Sequence, residues 1–94
     1  MRVISNKTLL AFSAIHSEAA KPLQLWRKAI QDKAYPNFAA LKAVFGSLDK
    51  AGEFHVFDIG GKKYRLIADI HFNRQIVFIR HVFTHRQYDR WSAS

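Results

Sequence analysis

The chain has 94 residues, 49% of them apolar and 14% aromatic, enough for one hydrophobic core and too much buried-type material for a disordered tail. Fifteen Lys and Arg against seven Asp and Glu leave a formal charge of +8, an excess that attracts polyanions such as nucleic acid. No cysteine is present, which excludes disulfides and thiolate metal sites, and the N-terminal Met-Arg-Val-Ile-Ser lacks the apolar run of a signal peptide or membrane span. One domain over residues 1–94, located in the cytoplasm and with no membrane partner, is the expectation. The charge is not confined to either half, so any basic patch must be assembled by folding.

Arg2-Val3-Ile4 reads as a short β-branched strand, and Ser5 or Asn6 can cap the helix that follows. Leu9, Phe12 and Ile15, with Leu10 alongside, then form one apolar stripe at helical spacing. A second helix opens at Lys21-Pro22, where a proline loses nothing by lacking an N–H, and it presents Leu23, Trp26 and Ile30 to the core. Pro36-Asn37 interrupts the pattern. Asn37 can cap a third helical stretch carrying Phe38, Leu41 and Val44 or Phe45, which stops at Gly46, and 47–52 reads as a loop.

From Phe54 the period changes to two, and β-branched and aromatic residues predict three sequential antiparallel strands over 54–59, 63–72 and 76–83. Gly60-Gly61 and Asn73-Arg74 are read as two-residue turns. Counting outward from them pairs Ile59 with Lys62, Asp58 with Lys63, Val56 with Arg65, Phe72 with Gln75, Asp69 with Phe78 and Ile67 with Arg80. One face then collects Phe57, Ile59, Tyr64, Leu66, Ala68, Ile70, Phe72, Val77 and Ile79, an apolar surface for the helices to cover; His55 and His81 also fall on it. The other face carries Arg65 and, diagonally, Arg80. Phe54, Val56, Ile67, Phe78 and Val82 share that second face, so part of it must be covered by loops, the C-terminal segment or a ligand. The expected fold is a two-layer α+β domain: an N-terminal strand and two to three helices on one face of a mainly antiparallel sheet.

Phe57-Asp58-Ile59-Gly60-Gly61-Lys62-Lys63-Tyr64-Arg65-Leu66-Ile67, then Phe78-Ile79-Arg80 and Thr84-His85-Arg86-Gln87-Tyr88-Asp89, resemble the HigB family of toxins, as do the N-terminal segment and the helix with Pro22, Leu23 and Trp26. The usual pattern has Asn where this chain has Lys62 and Gly where it has Phe83. The resemblance implies a RelE-like fold, ribosome-dependent cleavage of messenger RNA, and a HigA-type antitoxin with a helix-turn-helix, DNA being contacted only through that antitoxin.

Metal-free RNA cleavage requires a 2′-OH deprotonated and aligned on phosphorus, a stabilised phosphate charge and a protonated leaving oxygen. Arg65 and Arg80 are the candidates for gripping the scissile phosphate, because a guanidinium stays charged and matches phosphate oxygens. His85 is the acid/base candidate, since imidazole titrates near neutrality, and Tyr88 shares its side if Thr84 starts a helical turn. Lys62, Lys63 and Arg86 are expected to attract the RNA backbone. Five histidines come with no metal-ligand spacing, so no metal and no cofactor are expected. The bland readings stand beside these: Asp58 in a cross-strand ion pair, Trp26 and His55 in the core, His16 and His71 on the surface, and Trp91 as a sheet-covering plug or an antitoxin contact. A non-catalytic RNA-binding or ribosome-associated module is the alternative to the enzyme, and a DNA-binding regulator is weaker because no helix-turn-helix pattern is evident.

Overall fold

A computed structural model describes residues 1–91. The β-branched segment Arg2–Ile4 forms strand β1, which lies parallel to the last strand, β5 (Ile76–Thr84). Strands β3 (Phe54–Ile59) and β4 (Tyr64–His71) complete an antiparallel meander with β5. The segment read as a loop over 47–52 holds one further short strand, β2 (Asp49–Ala51), antiparallel to β3, so the spatial order of the sheet is β1-β5-β4-β3-β2. Two exposed charged residues, Asp49 and Lys50, hide this strand from a hydrophobic reading, and they suit an edge that must not invite further pairing.

The helices follow the apolar spacing. Helix α1 (Asn6–Ile15) buries Leu9, and α2 (Ala20–Gln31) buries Leu23, Trp26 and Ile30, with Pro22 in its first turn. Helix α3 (Phe38–Val44) buries Leu41 and starts at Asn37, whose side-chain oxygen accepts from Ala40 N–H at 2.9 Å. This satisfies one of the free donors of a helix start. These three helices and the core-facing side of the sheet share one cluster that includes Phe57, Ile59, Tyr64, Leu66, Ala68, Val77 and Ile79. The fold is therefore the expected α+β arrangement, with α1 to α3 on a single face. Among the described residues no helix is long and apolar enough to cross a membrane.

Two register expectations are corrected. The turn after β3 spans four residues, not two: Ile59 pairs Tyr64 and Asp58 pairs Arg65. Around this longer turn the Lys62 carbonyl accepts from Arg65 Nη1 at 2.6 Å and the Lys63 carbonyl accepts from His85 N–H at 3.1 Å. A slip of two residues keeps each side chain on its predicted face, so the sorting survives while the partners change. The second turn keeps its expected register: His71 pairs Ile76, Ile70 pairs Val77 and Asp69 pairs Phe78, and Gln75 N–H donates to Phe72 O at 3.3 Å across Asn73-Arg74. Gln75 takes a positive φ of 56° and its amide binds both the N–H and the carbonyl of Tyr35.

The second correction is a β-bulge. Ala68 pairs Ile79 as expected, but Ile67 pairs His81, so Arg80 is an extra residue in β5. Beyond it the faces of β5 exchange: Val82 packs on the core side opposite Leu66, whereas His81 and Phe83 emerge with Ile67 and Arg65. His81 is thus exposed rather than inward. An unbulged strand would bury its imidazole in the apolar layer, at the cost of desolvating a polar group.

His55 does lie in the interior, 5% exposed between the rings of Phe38 and Phe72, with a buried Nδ1 that has no partner among the described residues. Burial, then the Lys50 charge, hold its pKa below the ordinary 6.5. The folded state consequently resists protonation more than the unfolded state, so stability should fall as pH drops below about 6.5. Urea denaturation at pH 7.5 and 5.0 should show that loss, and His55→Phe should reduce it.

Candidate active site

The face opposite the helices is formed by the outward residues of β3, β4 and β5, and helix α4 (His85–Arg90) folds back across it. A capping box explains why the chain turns helical at this point. Thr84 Oγ1 accepts from Gln87 N–H at 3.2 Å, and Gln87 Oε1 accepts from Thr84 N–H at 2.8 Å. Two donors at the helix start are satisfied reciprocally, the outcome that a Thr-x-x-Gln spacing produces. Trp91, just after α4, lies against Phe54, His81, Phe83 and Tyr88, with ring centroids 5.7 to 6.2 Å apart. It is the sheet-covering plug of the two readings open for it, and beneath this cover Val56 and Ile67 are 4% and 0% exposed.

Beside the plug lies a polar cleft of about 250 Å³, lined by Ser47, Asp49, Val56, Asp58, Lys62, Arg65 and Tyr88. Arg65 is its fixed point. Its Nε donates to Asp58 Oδ1 at 3.0 Å, its Nη1 donates to Lys62 O at 2.6 Å and to Tyr64 O at 3.3 Å, and its guanidinium carbon lies 5.5 Å from the centre of the Tyr88 ring. A guanidinium has five N–H donors. Three are engaged here, so a ligand is left the Nη2 edge of a cation whose orientation is already set. The Asp58 ion pair expected with Lys63 is made with Arg65 instead, as the longer turn requires.

The other candidates are distributed around this point. Lys62 lines the cleft, and Lys63 reaches Glu18 at 3.9 Å with both side chains largely exposed, an ion pair of small energetic weight. Arg80 is on the same side of the sheet but does not converge on Arg65: its guanidinium turns to Asp69 at 3.2 Å and lies over the ring of Phe78. His85 begins α4, its backbone tied to Lys63, and its Nδ1 lies 3.0 Å from Asp89 Oδ2 one turn later. A carboxylate at that nitrogen selects the tautomer that leaves Nε2 for proton exchange. Tyr88 is on the cleft wall, and Arg86 is exposed in the first turn of α4. The structure thus brings together Arg65, Tyr88 and Lys62, keeps His85 on the adjoining helix turn, and sets Arg80 apart. Sequence reasoning missed Asp89 as the partner of His85, although the i,i+4 spacing was legible, and it missed Asp49, whose strand was read as loop.

A helix layer on one side of a mixed sheet and a cation-bearing, aromatic cleft on the other define a small, basic α+β domain built to meet an anionic ligand. The model of the HigB_toxin family, described as the RelE-like toxic component of a toxin-antitoxin system, matches residues 19–91. The chain is 31% identical over 96 aligned positions to the mRNA interferase toxin HigB of Escherichia coli K12, covering 99% of this chain and 92% of that protein, and equally to the mRNA interferase HigB of Shigella flexneri. It is 25% identical over 93 positions to the mRNA interferase HigB of Escherichia coli O6:H1, covering 96% and 90%. The chain belongs to the HigB family of toxins.

Because Thr84 and Gln87 hold the start of the helix that carries His85 and Tyr88, Thr84→Ala should cost about 1 kcal/mol of stability. Urea melts monitored by circular dichroism would register that loss, and Thr84→Ser, which keeps the acceptor oxygen, should restore most of it.

Proposed function

We propose that this HigB-family chain is an endoribonuclease toxin that cuts messenger RNA on the translating ribosome, without a metal ion, in the cytoplasm. The observation that carries the reading is Arg65, held by Asp58 and the Lys62 and Tyr64 carbonyls against Tyr88 in a polar cleft. A cation fixed in advance stabilises charge as it develops on a phosphate and spends nothing on reorganisation during reaction. In the proposed step the 2′-oxygen of one nucleotide attacks the adjacent phosphorus, the P–O5′ bond breaks, and the products are a 2′,3′-cyclic phosphate and a 5′-hydroxyl. Arg65 stabilises the extra negative charge that develops on the phosphate oxygens. His85, oriented by Asp89, moves the proton to or from the reacting oxygens, and Tyr88 aligns the 2′-OH or stacks on a base.

Lys62, Lys63 and Arg86 are assigned to the flanking phosphates, which supply affinity without sequence preference. Arg80, turned toward Asp69, is assigned to the same RNA path at some remove from the scissile group, where neutralisation by phosphate competes with its carboxylate partner. The other partner is a HigA-type helix-turn-helix antitoxin, in keeping with a family that is the toxic half of a toxin-antitoxin pair; an acidic or amphipathic segment would suit the +8 charge of this chain. Residues 1–94 act as one domain, consistent with a single cluster of buried apolar side chains.

Primer extension on messages under active translation should reveal new RNA ends when the wild-type protein is added, and none on the same messages without ribosomes. Arg65→Ala should reduce cleavage roughly 10²–10³-fold, the range seen when one charge-stabilising donor is removed, and His85→Ala roughly 10²–10⁴-fold, both with circular dichroism unchanged. Full cleavage by both variants would overturn the assignment of the site. Salt-sensitive RNA binding without new ends would make the chain a binding module.

A further inference from the structure

The bulge turns to the open side of the sheet two rings that the proposed chemistry does not use, His81 exposed and Phe83 half-buried. His81 and Phe83 sit two residues apart on β5, and their rings are nearly parallel, 13° between planes and 4.9 Å between centroids. Trp91 leans on both, 5.7 Å from each, and so fixes the pair from one side. Phe83 lies directly across from Arg65, and His81 across from Ile67, two residues further along β4. At about 3.3 Å per residue that places the His81 end of the stack roughly 7 Å along the sheet from Arg65, within the span of one nucleotide.

We infer that the His81–Phe83 stack is a nucleobase platform: an unpaired base of the RNA adds to it as a third ring on the exposed His81 side while the neighbouring phosphate rests on Arg65. The inference rests on the RNA-cleaving reading above and names the subsite that holds the base. Three features favour a base over a protein side chain. The rings are preset in parallel, the geometry an unpaired base continues. Phe83 is the cross-strand neighbour of Arg65, so a base and its own phosphate are matched together. The His81 ring lies on the exposed side of the sheet and is not part of the hydrophobic core. Stacking is indifferent to base identity, so the platform holds the strand in register more than it reads sequence.

The test compares two non-cleavable 2′-O-methyl tetranucleotides of equal charge, one with its bases and one fully abasic, by fluorescence anisotropy at one fixed salt concentration. Wild-type protein should bind the base-bearing oligomer about tenfold more tightly. His81→Ala and Phe83→Ala should bring the two affinities together while retaining the affinity for the abasic strand, and Phe83→Leu, which keeps apolar bulk without a ring, should behave alike. Arg65→Ala should weaken both oligomers and leave their ratio unchanged. Equal binding of the two oligomers by the wild type, or a ratio that survives all three ring substitutions, overturns the platform and leaves the nuclease reading intact, with the rings then assigned to a protein partner. If the wild type binds neither oligomer and makes no cuts on translated messages, the RNA reading itself falls and the platform with it.

Discussion

One surplus residue in β5 governs how the functional face is built. With Arg80 inserted opposite the Ile67–Ala68 step, the first half of the strand presents Val77 and Ile79 to the helices, and the second half turns His81 and Phe83 away from them and Val82 inward. An unbroken alternation would send an imidazole and a phenyl ring into a layer already filled by Leu66, Ala68 and the helices. It would also leave Val82 in water. The bulge resolves both costs at once. It also sets where β5 ends, because Thr84 then falls opposite Tyr64, and the chain leaves the sheet on the side where α4 can cross the open face.

The cleft at Arg65 follows from that exit. His85 N–H takes the Lys63 carbonyl beside a four-residue turn that sets Arg65, not Lys63, opposite Asp58. The ion pair that results is much less exposed than the Lys63–Glu18 pair, with side chains 12% and 18% exposed against 70% and 77%. Screening is correspondingly weaker there, so the first pair can fix geometry where the second cannot. Asp58 also removes part of the charge that Arg65 would offer to a phosphate. What it supplies in exchange is orientation, and for a group that must meet a developing charge orientation is the scarcer quantity.

Much of this was legible before any coordinates. Helix starts at Pro22 and Asn37, the switch to a period of two at Phe54 and the apolar sorting of β3 and β4 all rest on interactions within a few residues, which local spacing records. The resemblance carried by 57–67 and 84–89 pointed to the HigB family, in agreement with the match over residues 19–91. The Thr84–Gln87 capping box was equally readable, yet it gained significance only once a helix was known to carry His85 and Tyr88 across the sheet.

What the sequence determined by itself is therefore which side chains alternate together and which segments are helical, because those follow from backbone periodicity and short-range hydrogen bonds. What the tertiary structure decided is the length of the turn after β3, the bulge at Arg80, the partners of the charges on the open face and the covering of that face by Trp91. These depend on competition among groups far apart in the chain. Asp58, for one, chooses between Lys63 and Arg65, and alternation alone cannot rank such choices, since a shift of two residues leaves every face unchanged.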